Sequence, residues 1–235
     1  VTTDDRKREV GRRAAELVAD GTVVGLGTGS TAAHFVERLG ERVREGLRVR
    51  GVPTSERTAR QAESCGIPLA TLDEFPRLDL AVDGADQVDP RADLIKGLGG
   101  ALYREKRVAL ASREFVVIVD SSKMVPVLGV GCPVPVEVEP DAWKRVRARL
   151  AELGAEAELR QRGPDRWVTD NGNLILDAEF GALADPADLE RRINAIPGVL
   201  DNGLFVGLTA RVLIAEAHGV REWVVPGARP PSARG

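Results

Sequence analysis

The sequence predicts an α/β protein: a mostly parallel sheet covered by helices, with a smaller α+β section late in the chain. Three observations carry this. Short apolar runs alternate with stretches of helical periodicity as far as Val130. Polar, glycine-rich clusters follow the apolar runs, and open parallel sheets bind ligands beyond the carboxyl ends of their strands. After Val130 the pattern changes to prolines and short alternating segments.

The elements follow in order. Residues 4–20 read as an amphipathic helix, with Val10, Ala14, Leu17 and Val18 on one face and Gly21 as the stop. "TVVGLG" is a short buried strand. A glycine loop leads into "STAAHFVERLGERVREG", a helix started by a Ser/Thr cap. "LRVRGVP" reads as a strand, "SERTARQAESCG" as a capped helix and "IPLATL" as a short strand. "LDLAVDGAD" is a strand entering an acidic loop, "DLI" a strand fragment, "GALYREKRVALASR" a helix and "EFVVIVDSSK" a strand with a polar end. "GCPVPVEVEP" suits a connection or an edge strand. "PDAWKRVRARLAELG" is a helix, and "AEAELRQ", "RWVTDNG" and "NLILDAEF" form a meander with "DNGN" as a turn. "DPADLERRINAIPG" is a helix, "PGVLDNG" a turn, and "GLFVGL" and "ARVLIAEA" are strands. The division expected is a catalytic domain of residues 1–130 and 207–228, an α+β domain of residues 131–206, and a disordered tail at 229–235.

Composition bounds the function. Hydrophobic content of 43% and charged content of 29% over 235 residues describe an ordinary globular chain. A net charge of -3 gives no basis for a nucleic-acid surface. The longest apolar runs fall short of a membrane span, and the charged N-terminus lacks a secretory apolar region. Cys65 and Cys132 lie far apart, outside any CxxC pattern, and read as reduced structural thiols of a cytoplasmic protein. Only five lysines stand among 33 basic residues, at positions 7, 96, 106, 123 and 144. In so arginine-rich a chain, those are places where a compact ammonium is wanted.

The strand-end clusters carry the chemistry, and together they are expected to line one crevice. "GLGTGST" is GxGxG, so it misses the dinucleotide spacing, and it lacks the GK[ST] of a P-loop. Thr28, Gly29, Ser30 and Thr31 instead suit a phosphate monoester, held by backbone amides, hydroxyls and a helix N-terminus. The bland alternative is a tight capped turn. Asp83, Gly84, Ala85 and Asp86 set two carboxylates across a glycine. That suits sugar hydroxyls and proton transfer better than a metal, which would want more ligands. Lys96 opens "KGLGG", whose Gly97, Leu98 and Gly99 bring backbone amides near a ligand. Glu105 falls one turn into the next helix, where it would be a general base or merely a solvated charge. Lys123 suits a phosphate or carbonyl oxygen; Lys106, His34 and His218 read as structural.

Taken together, "GLGTGSTA", "DGAD", "LIKGLGGALYREK", "VDSSK", "PVPVEV", "TDNGN" and "PGVLDNGLF" resemble the A-type ribose 5-phosphate isomerase family along nearly the whole chain. The resemblance implies a Rossmann-like domain with helices on both sheet faces and interconversion of D-ribose 5-phosphate and D-ribulose 5-phosphate. It implies no metal or organic cofactor, and a homodimer or homotetramer. By the same resemblance, residues 28–31 and Lys123 hold the phosphate. Asp83 and Asp86 contact sugar hydroxyls, with Asp83 assisting ring opening. Lys96 and the amides after it stabilise the enediolate, and Glu105 moves the proton. Leu98 and Tyr103 depart from the family loop: Leu98 interrupts a glycine run, and Tyr103 stands where threonine is common. The alternatives are an amino-sugar-phosphate isomerase or deaminase, which would lean on a histidine, and a phosphosugar sensor domain, which would need a DNA-binding module.

Overall fold

The computed structural model describes residues 2–227; the expected tail at 229–235 lies outside them. In chain order the elements are α1 (Thr3–Glu16), β1 (Thr22–Leu26), α2 (Ser30–Arg44), β2 (Val49–Pro53), α3 (Glu56–Ser64) and β3 (Leu80–Asp83). Then come β4 (Gln87–Val88), β5 (Leu94–Ile95), α4 (Leu102–Ala111), β6 (Phe115–Asp120) and a 3₁₀ turn at Ser121–Lys123. Next are β7 (Val134–Val138), α5 (Trp143–Glu152), β8 (Glu156–Leu159), β9 (Gln161–Arg162), β10 (Asp165–Arg166) and β11 (Leu174–Glu179). The last are α6 (Pro186–Asn194), β12 (Val199–Asn202), β13 (Leu204–Phe205), β14 (Arg211–Glu216) and β15 (Gly219–Val224).

The chain forms two compact units. The first comprises residues up to Ala85, Arg104–Met124 and Gly207 onward; the second comprises Asp86–Tyr103 and Val125–Val206. The chain passes into the second unit at Val125 and leaves it at Val206, where breaks after 130 and 206 were expected. The segment 86–103, expected in the first domain, groups instead with the second. The reason is local pairing: β5 runs between β4 and β13, joining Leu94 to Phe205 and Ile95 to Leu204.

The first unit is built on a six-stranded sheet in the order β15-β14-β6-β3-β1-β2. β2, β1, β3, β6 and β14 are parallel, and β15 is antiparallel to β14. From β1 the chain moves to β2 on one side and to β3, β6 and β14 on the other. The topological switch point therefore lies between β1 and β3, where this sheet type binds ligands. The core packs Val24, Leu26, Val82, Val116 and Ile118 against Val10, Phe35, Val36 and Leu39 of α1 and α2. Each of those side chains is essentially fully buried, worth roughly 1.5–3 kcal/mol for a large one.

The second unit holds a four-stranded antiparallel sheet in the order β12-β7-β11-β8. Val134, Val136, Val138, Leu174 and Leu176 pack there with Val146 and Leu150 of α5 and Ile193 of α6. "TDNGN" is a turn with a further task. Thr169 Oγ1, Asn171 Nδ2 and Asn173 Nδ2 donate to Oε1 of Glu137, a fully buried carboxylate, at 3.0, 3.1 and 2.9 Å.

Several element readings need correction. β7 is an interior strand, not a connection or an edge. Pro135 is tolerated because β12 ends at Asn202, opposite Val136, so no ladder donor is required of it. "PGVLDNG" holds β12 rather than a turn alone. "IPLATL" makes only a single bridge, Leu69 to Gly51, and β15 lies in a stretch too polar to read as a strand. Ser30 is the first residue of α2 and not its cap. The N-cap is Gly29 at φ 134°, and no side chain caps that end.

Candidate active site

Glycine and carboxylate interlock at the switch point of the first unit. Gly27 N–H donates to the Val82 carbonyl at 2.9 Å, and Thr28 N–H donates to Asp83 Oδ1 at 3.0 Å. Gly84 N–H donates to the same oxygen at 2.7 Å, so two amides hold the Asp83 carboxylate, which is 2% exposed. A Cβ on Gly27 would lie 2.3 Å from Asp83 Oδ1, so only glycine allows this approach.

Thr28 behaves differently from the expectation of a hydroxyl turned to a ligand. Its Oγ1 lies 2.7, 2.8 and 3.0 Å from the hydroxyls of Thr54, Ser55 and Thr58, in a buried network. Thr58 donates to the Gly27 carbonyl at 3.1 Å and Thr54 to the Leu26 carbonyl at 3.0 Å. These hydroxyls from the end of β2 and the start of α3 brace the glycine loop from beneath. Sequence reading missed them because they are 26–30 residues away in the chain.

The mouth of the loop is cationic. α2 carries no acidic residue in its first turn and no side-chain cap. Its N-terminal amides and dipole are thus left to an anion. Lys7 of α1 donates to Ser30 Oγ at 2.9 Å. Lys123 follows β6 in the 3₁₀ turn. Burial alone would raise the pKa of Asp120. The Ser122 hydroxyl and amide, with the charges of Lys123 and Lys7, outweigh it and hold the carboxyl below its ordinary value. Lys7 was not singled out from its own surroundings in the sequence; the scarcity of lysine was its signal.

Glu105, on the first-unit stretch of α4, is 3% exposed, and its neighbour Lys106 is equally buried. The solvated-charge reading of Glu105 is thereby overturned, and Lys106 is no surface lysine. His34 bridges Glu37 and Asp4 at 3.2 and 3.3 Å, which suits its structural reading.

In the second unit, Lys96 is 2% exposed and its ammonium lies 5.5 Å from the centre of the Phe205 ring. Lys96 N–H donates to the Gly203 carbonyl at 2.8 Å, while Gly203 N–H donates to the Pro135 carbonyl at 2.7 Å. Pro135 has no N–H to return to Gly203, so that carbonyl is available to Lys96. A Cβ on Gly203 would lie 2.2 Å from the Lys96 carbonyl oxygen. Leu98 keeps an ordinary φ while its neighbours Gly97 and Gly100 take φ 101° and 83°, so the departure from a glycine run costs no strain. The Leu98 amide donates to Asp86 Oδ2 at 3.0 Å, and its side chain is 44% exposed. Asp86 thus braces the loop as well as presenting a carboxylate.

In the first unit, a cationic loop mouth, the buried Glu105 and the amide-held Asp83 are groups suited to proton transfer on a phosphorylated polyol; in the second, Asp86 and the buried Lys96 border one glycine loop. Comparison with known proteins agrees. Residues 50–219 match the family model for ribose 5-phosphate isomerase A (phosphoriboisomerase A). The chain belongs to the A-type ribose 5-phosphate isomerase family. It is 54% identical to ribose-5-phosphate isomerase A of Gloeobacter violaceus over 97% of this chain and 99% of that one. The structure of ribose 5-phosphate isomerase A from Methanocaldococcus jannaschii matches with a TM-score of 0.91 and 46% identity, over 95% of this chain and all of the other. A D-ribose-5-phosphate isomerase solved with phospho-erythronic acid matches with a TM-score of 0.92 and 41% identity, over 95% and 100%. The isomerase reading is favoured over the sensor and deaminase alternatives. Among the described residues no helix is long and apolar enough to cross a membrane.

Proposed function

We propose that this protein interconverts D-ribose 5-phosphate and D-ribulose 5-phosphate through an enediolate. Family membership along nearly the whole chain carries the proposal, and the relative solved with a phosphorylated sugar acid supports the substrate class. The uncapped α2 N-terminus, Gly29, Ser30, Thr31, Lys7 and Lys123 hold the phosphate. Thr28 positions the loop through its hydroxyl network. Asp83, with one oxygen fixed by two amides, assists ring opening, and Asp86 meets sugar hydroxyls.

Glu105 removes the C2 proton of the open-chain aldose and returns it to C1. A positioned base of this kind contributes ~10²–10⁴-fold. The Lys96 ammonium offsets charge developing on the enediolate oxygens, and losing one such preorganised group costs ~3–4 kcal/mol. The O2 hydroxyl proton passes to O1 across the enediolate, so that base, cation and amides serve both transfers without a metal or organic cofactor. The phosphate, remote from the reacting carbons, supplies binding energy that orients them. The family motifs further support a cytoplasmic homodimer or homotetramer, which light scattering on the purified chain tests in its oligomeric part.

Turnover in deuterium oxide tests the route. Proton transfer through Glu105 leads to solvent deuterium at C1 of the ribulose phosphate over repeated turnovers. Complete retention of the original hydrogen would indicate a hydride shift and remove Glu105 as base.

A further inference from the structure

We infer that Arg160 is a positioning residue for the Lys96–Gly99 loop, clamping it from the junction where β8 passes into the β9–β10 hairpin. This rests on the reading that the loop meets the reacting end of the sugar. Arg160 stands between β8 and β9, and its side chain is only 10% exposed. Its guanidinium is divided between two tasks. On one side Nε donates to Asp177 Oδ2 at 2.8 Å and Nη2 donates to Asp177 Oδ1. On the other, Nη1 donates to the carbonyls of Gly97 and Leu98 at 2.9 and 3.1 Å.

The chemistry explains the residue type. A planar fork binds a carboxylate with two parallel bonds and still has donors pointing away from it. Asp177 is itself fixed in the middle of the sheet, on β11 between Glu158 of β8 and Pro135 of β7. The two carbonyls are therefore tied through one rigid cation to the sheet. They belong to the residues directly after Lys96, whose own amide is held by Gly203. Trp167, just after the β9–β10 hairpin, touches the loop again. The Trp167 amide donates to the Arg160 carbonyl at 3.0 Å, and the Trp167 indole lies so close to Gly100 that a Cβ there would sit 2.7 Å from it. A lysine at 160 would have one point charge and could not serve carboxylate and carbonyls at once.

The test compares wild type with Arg160→Met, Arg160→Lys and Arg160→Ala, using Arg166→Ala on the β9–β10 hairpin as control. Arg166 stacks on Trp143 at 5.5 Å and touches neither the loop nor Asp177. Kinetics and hydrogen exchange of the Leu98 amide are both read. Misplacing a reacting group by about 1 Å costs ~10²-fold, so kcat is expected to fall ~10–10²-fold in Arg160→Met and less in Arg160→Lys. Inhibition by inorganic phosphate is expected to stay within ~2-fold, because the phosphate grip is built elsewhere. Leu98 amide exchange should accelerate in Arg160→Met and remain at wild-type rate in Arg166→Ala. Millimolar guanidinium ion is expected to restore part of the rate to Arg160→Ala. Unchanged kcat with unchanged exchange overturns the clamp. So does a rate loss matched by equal weakening of phosphate inhibition, which indicates general unfolding. If wild type does not isomerise, the functional reading fails, and the Leu98 exchange still decides the clamp.

Discussion

Gly27 carries no side chain because Asp83 stands where one would go. Gly27→Ala would force the Asp83 carboxylate from a Cβ 2.3 Å away. Overpacking of this kind costs about 1–3 kcal/mol, so a lowered Tm and a reduced kcat/KM are expected from thermal melts and initial rates. Glu105→Gln keeps the shape and removes the base. Its kcat is expected to drop at least ~10²-fold with a smaller change in KM, and a near-normal rate would show that another group moves the proton. Glu105 was legible because it falls one turn after a lysine–glycine loop. The direction of the Thr28 hydroxyl was not. It is set by Thr54, Ser55 and Thr58, and a loop sequence says nothing of hydroxyls delivered by another strand and helix. Arg160 was equally invisible, one arginine among many, marked only by where its fork lands.

In the reading proposed above, α2 trades stability for binding of the phosphate. A helix whose first turn lacks a cap and an acidic residue forgoes stabilisation of about 0.3–1 kcal/mol. Ser30→Asp should recover part of that while filling the anion site with its own carboxylate. The expected outcome is a Tm equal to or above wild type and inorganic phosphate inhibition weakened at least ~10-fold. A lower Tm with unchanged inhibition would place the phosphate elsewhere. β7 illustrates what pattern reading loses. Three prolines in "GCPVPVEVEP" argued against an interior strand. Position within the strand decides the matter, since Pro135 lies past the last β12 pair and leaves the Gly203 carbonyl to Lys96. The long periodic helices and the parallel strands were legible, because their burial repeats locally. β4 was missed because its two residues form a strand only by pairing with the equally short β5, whereas β13 lies within the expected "GLFVGL" strand.

The candidate residues fall in two units, between which the chain crosses at Ala85–Asp86, Tyr103–Arg104, Met124–Val125 and Val206–Gly207. The alternation of strands and helices made the larger unit readable. It gave no sign that residues 86–103 group with the smaller one, because that follows from pairing with β13. The charge arrangement also sets a pH response. Against the effect of burial, the Asp120 carboxyl is held below the ordinary aspartate range in the folded chain by the Ser122 hydroxyl and amide, with the charges of Lys123 and Lys7. Its contribution to stability is therefore complete above the unfolded pKa and is lost as pH falls through the folded one. Tm measured from neutral pH down to about pH 3 should fall less steeply in Asp120→Asn than in wild type; parallel curves would mean Asp120 keeps its ordinary pKa. The account as a whole stands on the reaction. Purified protein is incubated with D-ribose 5-phosphate and excess EDTA, and ribulose 5-phosphate is followed by NMR. Conversion to an equilibrium mixture at a rate indifferent to EDTA is the expected result, while no ribulose 5-phosphate, or conversion only after a metal ion is restored, would contradict it.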